Sequence, residues 1–130
     1  MEGGKHVILC VDDDPDILAS LRVILESRGY RVVTAPTAAA GVESYRATHP
    51  DLLIVDLMME EIDSGIWLAR ELQKLGNTVP LFFLSSTGDY LLGTLDTGEL
   101  GARGVFQKPL DPTLLLSLVE KSLGASATRS

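Results

Sequence analysis

The stretch CVDDDPDI, residues 10–17, sets Asp12, Asp13 and Asp14 side by side directly after an apolar run. Like charges packed so closely repel, so the arrangement calls for a counter-charge. Three other apolar runs end on residues that can do chemistry. DLLIVD ends on Asp56, PLFFLS ends on Ser85 with Ser86 and Thr87 behind it, and ARGVFQ leads into Lys108 and Pro109. Grouped carboxylates are tolerated where a divalent cation sits among them. An all-oxygen donor set favours Mg²⁺, with Mn²⁺ as the alternative ion, and the chain offers no Cys/His set for a softer metal. A carboxylate beside such an ion can attack a phosphoryl group and form an aspartyl-phosphate. Phosphoryl transfer is mostly positioning and neutralisation of charge on three equatorial oxygens. The ion, the Lys108 ammonium and the Ser85 hydroxyl can each take one of them. Singly these residues say little: an Asp after a strand is usually a cap or turn residue, and a lone Lys is usually solvated. Their joint placement carries the reading.

That placement depends on the elements behind it. His6–Val11, Tyr30–Ala35, Asp51–Asp56, Pro80–Ser85 and Ala102–Gln107 are short apolar runs of strand length. Between them the apolar residues recur at helical spacing. Pro15 sits at a first-turn position ahead of Ile17, Leu18, Leu21, Ile24 and Leu25, and Gly29 ends the run. Thr37 can cap a helix reaching about Thr48. Ser64–Leu75 reads as a helix stopped by Gly76 and Asn77. Asp111–Leu123 reads as a last helix with Leu114, Leu115, Leu118, Val119 and Leu123 on one face. A helix is also expected over Asp89–Leu100, although Gly93, Gly98 and its threonines lower the propensity. Five strands alternating with five helices, with strands apolar nearly throughout, predict an α/β fold: a doubly wound parallel sheet covered on both faces. In such sheets ligands sit beyond the carboxyl ends of the strands, where Asp12, Asp13, Asp56, Ser85 and Lys108 all fall.

Composition narrows the classes. The chain has 130 residues, one domain's worth, and is 45% hydrophobic and 22% charged, as in an ordinary globular protein. Eleven basic against eighteen acidic residues give a net charge of −7. That balance argues against direct nucleic-acid binding, which runs on Lys and Arg. Cys10 is the only cysteine, which excludes an internal disulfide and fits a reducing compartment. It is expected to be a small buried hydrophobe. No apolar run approaches the ~20 residues of a membrane span. MEGGKHVILCV lacks a separate apolar core and cleavage site of a signal peptide. A cytoplasmic setting with no membrane partner is the expectation.

In VDDDP (Val11–Pro15), DLLIVDLMM (Asp51–Met59) with Gly65 downstream, PLFFLSS (Pro80–Ser86), and Leu100–Ala102 with Lys108–Pro109, the sequence resembles a response regulator receiver domain, the phosphoacceptor module of two-component signalling. The resemblance runs from about Lys5 to Leu123 and implies a flavodoxin-like sheet of order 2-1-3-4-5. By position, it makes Asp56 the phosphoacceptor and Asp12 and Asp13 the acidic pair for Mg²⁺. Asp56 and the Met58 backbone carbonyl complete the metal ligands, and Ser85 and Lys108 contact the phosphoryl group. Asp14, beside Asp16 at the positive end of a helix, is left a capping or supporting role, with a metal-ligand role as the alternative. The implied partners are a sensor histidine kinase or phosphotransfer protein and an unidentified output domain or protein, with homodimerisation left open. The implied role is a phosphorylated signalling domain rather than a conventional enzyme. The whole chain, 1–130, reads as one receiver domain with a core of about 5–123 and a tail or linker stub over 124–130. Too few residues follow Leu123 for an output domain, so a stand-alone receiver or an excised N-terminal domain is expected.

Departures from the family pattern bear on output. Glu60 stands where Pro is usual. Val105 occupies the aromatic switch position, and Phe106 beside it should face the other side of the sheet. The glycine-bearing segment Asp89–Leu100 is then the expected moving element. Two competing readings remain. One is a degenerate receiver used only for docking or dimerisation. The other is a phosphatase of the haloacid-dehalogenase type, with Asp12 as nucleophile and Asp14 completing its D-x-D spacing, although Asp16 does not fit that motif and the chain is short for it.

Overall fold

The computed structural model describes residues 4–59, 64–86 and 98–124. Five strands, β1 (Val7–Val11), β2 (Arg31–Ala35), β3 (Leu52–Asp56), β4 (Leu81–Ser85) and β5 (Ala102–Gln107), form one parallel sheet of order β2-β1-β3-β4-β5. The described helices are α1 (Pro15–Glu26), α2 (Ala38–Thr48), α3 (Ser64–Lys74) and α4 (Pro112–Leu123). The fold class and strand order are those expected. The helix expected over Asp89–Leu100 lies outside the described residues, apart from Gly98–Leu100, which form a turn leading into β5. Glu60 and Thr87 also lie outside them.

Strand alternation builds two cores, one on each face of the sheet. Ile8, Cys10, Ile54, Leu84 and Phe106 pack with α1 and α4. Leu9, Val11, Val55 and Phe83 pack with α2 and α3. The central strands β1, β3 and β4 are buried along their whole length, and the edge strands β2 and β5 are only partly so. This is why the central runs read as continuous apolar stretches. Cys10 is a free, fully buried thiol, pushed up to about 12 by burial, and so is inert packing as expected.

The helix starts follow their caps. Asp14 Oδ1 accepts from the Asp16 N–H at 2.9 Å, Thr37 Oγ1 from the Ala40 N–H at 3.0 Å, and Asp111 Oδ1 from the N–H groups of Thr113 and Leu114 at 3.0 and 3.2 Å. One expectation needs correction: Leu114 does not share the buried face of α4. It is 51% exposed, and Leu116 is buried with Leu115 and Val119 instead. Leu114 lies in the first turn, where the cap at Asp111 fixes the phase of the helix. Three consecutive leucines left that phase undetermined in the sequence.

β5 carries a bulge. Leu81 pairs with Ala102 but Phe82 pairs with Gly104, so Arg103 is the extra residue. A Cβ on Gly104 would lie 3.2 Å from the Phe82 ring. Its absence admits that ring, which stacks on Phe106 with centroids 5.0 Å apart. Val105 packs on the opposite face, as the alternation required.

Gly65 in α3 makes the closest approach to the loop after β3. A Cβ there would lie 2.7 Å from the Leu57 Cα and carbonyl oxygen and closer still to the Asp56 carbonyl oxygen. These are backbone atoms that cannot rotate away. Gly→Ala in a helix normally stabilises by about 0.5–1 kcal/mol. Here overpacking, worth about 1–3 kcal/mol, outweighs that gain. Gly65→Ala is therefore expected to lower stability by about 1–2 kcal/mol net, read as a reduced denaturation midpoint. A midpoint at or above that of the wild type would show that the loop yields freely.

Candidate functional site

Strand order 2-1-3-4-5 reverses direction between β1 and β3, and the crevice at their carboxyl ends is where open α/β sheets hold ligands. Register places the residues there. Val11 pairs with Val55, so the next residues, Asp12 and Asp56, lie abreast. The Asp12 N–H donates to the Ala35 carbonyl at 3.2 Å, which continues the ladder one residue past β1. The Leu57 N–H bonds the Leu84 carbonyl at 2.9 Å and the Lys108 N–H bonds the Ser85 carbonyl at 2.8 Å, tying the other two strand ends to the same edge. The Gly65 N–H donates to the Leu57 carbonyl at 3.1 Å and closes the loop after Asp56 onto α3.

Asp12 and Asp56 are buried, at 0% and 3% exposure, and Asp13 is exposed. One carboxylate oxygen from each of the three lies within 4.8 Å of the others. The Lys108 ammonium enters this group, 2.9 Å from Asp12 Oδ2 and 3.3 Å from Asp56 Oδ2. Asp12 Oδ1 accepts from the Asp14 N–H at 2.9 Å, while Asp12 Oδ2 faces the Lys108 ammonium. The Met58 N–H points at Asp56 Oδ1 at 3.4 Å, with Met58 half-buried. Ser85 is fully buried at the end of β4, its Oγ donating to the Ser86 carbonyl at 3.3 Å.

Burial, then the adjacent Asp12 charge, push the Asp56 carboxyl up to about 7 against the pull of the Lys108 ammonium. For Lys108 burial works against the charged form. Its contact with Asp12 and the charges of Asp56 and Asp12 outweigh burial, and the net shift is upward. Oxygen donors at this spacing, carrying more negative than positive charge, suit a hard divalent cation such as Mg²⁺.

The structure brings together Asp12, Asp13, Asp56 and Lys108, with Ser85 and Met58 on the adjoining strand end and loop. Asp14 is the exposed cap of α1, and its carboxylate serves the Asp16 N–H. The Asp12–Lys108 ion pair was not foreseen. The only sequence signal for it was the opposite charge at the ends of β1 and β5.

The family model of the response regulator receiver domain matches residues 8–120. The chain is 35% identical over 120 residues to the transcriptional regulatory protein GlrR of Escherichia coli (strain K12), covering 92% of this chain and 27% of that protein. It is 33% identical over 123 residues to the transcriptional regulatory protein CseB of Streptomyces coelicolor, covering 95% of this chain and 51% of that one. The chain thus spans about a quarter to a half of the length of these curated relatives. Its structure is similar to that of a response regulator receiver domain protein (CheY-like) from Methanospirillum hungatei, with a TM-score of 0.82, 28% identity, and coverage of 92% of this chain and 94% of that one. It is also similar to a response regulator receiver domain protein from Clostridium thermocellum, with a TM-score of 0.81, 27% identity, and coverage of 91% and 94%. The chain belongs to the response regulator receiver domain family. Among the described residues no helix is long and apolar enough to cross a membrane.

The raised Asp56 pKa has a sign that can be measured. An unfolded Asp titrates near about 3.9 and the folded one at about 7, so the folded state binds the proton more tightly. Asp56 therefore costs stability progressively as pH rises from about 4 through about 7, and the cost levels off above that. In metal-free buffer, Asp56→Asn is expected to gain stability over the wild type as pH is raised from about 5 to about 8. A stability difference that stays flat across this window would place the Asp56 pKa near its ordinary value.

Proposed function

We propose that Asp56 accepts a phosphoryl group from a histidine kinase or histidine phosphotransfer protein in a Mg²⁺-dependent reaction, and that this controls binding to an output domain or partner protein. The observation that carries the reading is a buried carboxylate at the sheet's switch point with an ammonium 3.3 Å away and two further carboxylates beside it. An Asp56 oxygen attacks phosphorus in line with the phosphorus–nitrogen bond of the donor. That bond breaks as the acyl phosphate forms, and its electron pair returns to the imidazole, which takes up a proton. Asp12, Asp13, Asp56 and the Met58 carbonyl would hold Mg²⁺ (or Mn²⁺), which supplies positive charge to the transferring oxygens. Lys108 gives a second positive charge and the Ser85 hydroxyl a hydrogen bond to the product. The role of Asp14 as a helix cap leaves the phosphatase reading without its second acid.

The domain does not turn over a separate substrate in this reading; it promotes only its own phosphorylation and dephosphorylation. Residues 1–130 form one receiver unit with a core of about 5–123, acting in the cytoplasm. No direct contact with nucleic acid or membrane is invoked, and a homodimer is compatible with the reading.

Two measurements test it. With a small phosphodonor and Mg²⁺, the wild type should incorporate phosphate and Asp56→Asn should not, because an amide is a poor nucleophile. Lys108→Ala should still be labelled but should show a weakened conformational response. Full labelling of Asp56→Asn would move the nucleophile elsewhere, and an unlabelled wild type would favour the degenerate docking module. The second measurement concerns phosphate lifetime. Met58, two residues past Asp56, is apolar and cannot orient a water. Met58→Asn is expected to shorten the lifetime several-fold at matched Mg²⁺. An equal or longer lifetime would mean that Met58 does not control water access.

A further inference from the structure

Helix α3 is tied at both ends to segments far apart in the sequence. At its start a Cβ on Gly65 would lie 2.7 Å from the Leu57 Cα, and the Gly65 N–H donates to the Leu57 carbonyl at 3.1 Å. In its last turn the Gln73 side-chain amide donates from Nε2 to the Glu99 carbonyl at 2.7 Å. Glu99 belongs to the turn over residues 98–101 that leads into β5, which the Gly101 N–H closes onto the Gly98 carbonyl at 3.0 Å. The two segments also meet α3 inside the protein: Leu57 and Leu100 pack in one core with Leu68 and Leu72. Between its ends α3 has 11 residues, about 16 Å of continuously hydrogen-bonded backbone.

We propose that α3 is a strut that carries a change in the loop after Asp56 to the turn before β5, with Gln73 as the positioning residue at its far end. The phosphate signal it would carry rests on the reading of Asp56 as phosphoacceptor made above. At the start of α3 the contact is backbone on backbone, so no side chain can rotate to absorb a movement of Asp56 and Leu57. The helix responds as one body, because bending it would distort its hydrogen-bond ladder. At the other end the Gln73 amide and Leu100 pass the displacement to the turn. The strand that follows resists little: β5 is a partly buried edge strand, and its ladder is interrupted at Arg103, one residue after it begins. The sheet offers a stiffer route, since β3 and β4 are buried along their whole length and locked in register. The change therefore emerges at the amino edge of the sheet, opposite the carboxylates. An exposed neutral hydrogen bond adds little to stability, so Gln73 can be altered without unfolding the domain.

The experiment follows backbone amide resonances of the whole chain before and after a small phosphodonor is added with Mg²⁺. In the wild type the Leu57 and Gly101 amides should both shift. Gln73→Met keeps the length and the helix propensity but cannot donate. It should be labelled as fully as the wild type and still shift at Leu57, while Gly101 loses most of its response. Gln73→Lys restores a donor and should recover that response. A Gly101 response in Gln73→Met equal to that of the wild type overturns the proposal, and so does a wild type in which Leu57 shifts and Gly101 does not. A second arm needs no phosphate, and it measures coupling between the two ends of α3 directly. Gly65→Ala forces the start of α3 away from the Leu57 backbone. It should shift the Gly101 amide when Gln73 is present, and should do so far less in the double variant with Gln73→Met. Equal shifts in the two backgrounds overturn the strut whatever the phosphodonor does. If the wild type takes no label but Gly65→Ala still moves Gly101 through Gln73, the phosphoacceptor reading fails and the strut stands.

Discussion

Three carboxylates and one ammonium cluster at the carboxyl edge of the sheet, and the described strands and helices hold them there. Asp12 and Asp56 are both buried, and burial, then the adjacent Asp12 charge, push the Asp56 carboxyl up to about 7. Apolar side chains would fill this position more stably. Removing one partner from a buried charged group leaves the other uncompensated, typically at several kcal/mol. The arrangement persists because Lys108, from a different strand, supplies the missing charge. The site is therefore a property of the assembled sheet. No segment of fewer than three strands contains Asp12, Asp56 and Lys108 together.

The parallel ladders turn that requirement into geometry. One residue of slip between β1 and β3 would place Asp12 beside Val55 or Leu57 and send its side chain to the other face. The two cores prevent the slip, because it would also exchange Ile8 and Cys10 for Leu9 and Val11 beneath α1 and α4. Gly65 adds a constraint from outside the sheet. Its missing Cβ lets α3 touch the backbone of Asp56 and Leu57, and the Gly65 N–H holds the Leu57 carbonyl. The Asp56 carboxylate is thus positioned by its ladder on one side and by a helix start on the other. Its own rotamer does not have to do this alone.

Most of this architecture was legible because local and global signals agree. The central strands are apolar on both faces, so their runs are unbroken in the sequence, and β5 was placed at Ala102–Gln107 as observed. Asp14, Thr37 and Asp111 marked helix starts through a mechanism that needs only neighbouring residues. What failed, or was not foreseen, depends on tertiary contact. Three leucines at 114–116 satisfy more than one helical phase, and the sequence could not say that Leu116 and not Leu114 is covered. The bulge at Arg103 is invisible without its partner strand, because it is defined by two residues facing one. In the site, the residue types and strand ends were predictable. The pairing of Lys108 with Asp12 was not, since charge choice between two neighbouring acids is settled by distances of a few tenths of an ångström.

Val105 and Phe106 of β5 precede Lys108 and face opposite sides of the sheet. Val105 packs against the core under α2 and α3, and its β-branched side chain has no ring to rotate. Phe106 has a ring, but it is 3% exposed and stacked on Phe82 in the opposite core, where rotation would open a cavity between the sheet and α4. A swinging aromatic is therefore unavailable at either position. β5 itself differs from its neighbours: it is an edge strand, only partly buried, interrupted by a bulge, and fixed at its far end by the Lys108 N–H to the Ser85 carbonyl. An edge strand with an irregular ladder shifts as a unit at lower cost than a central one, since fewer paired groups and less packed surface oppose it. Lys108, directly after this strand, joins its end to Asp12 and Asp56 through contacts of 2.9 and 3.3 Å.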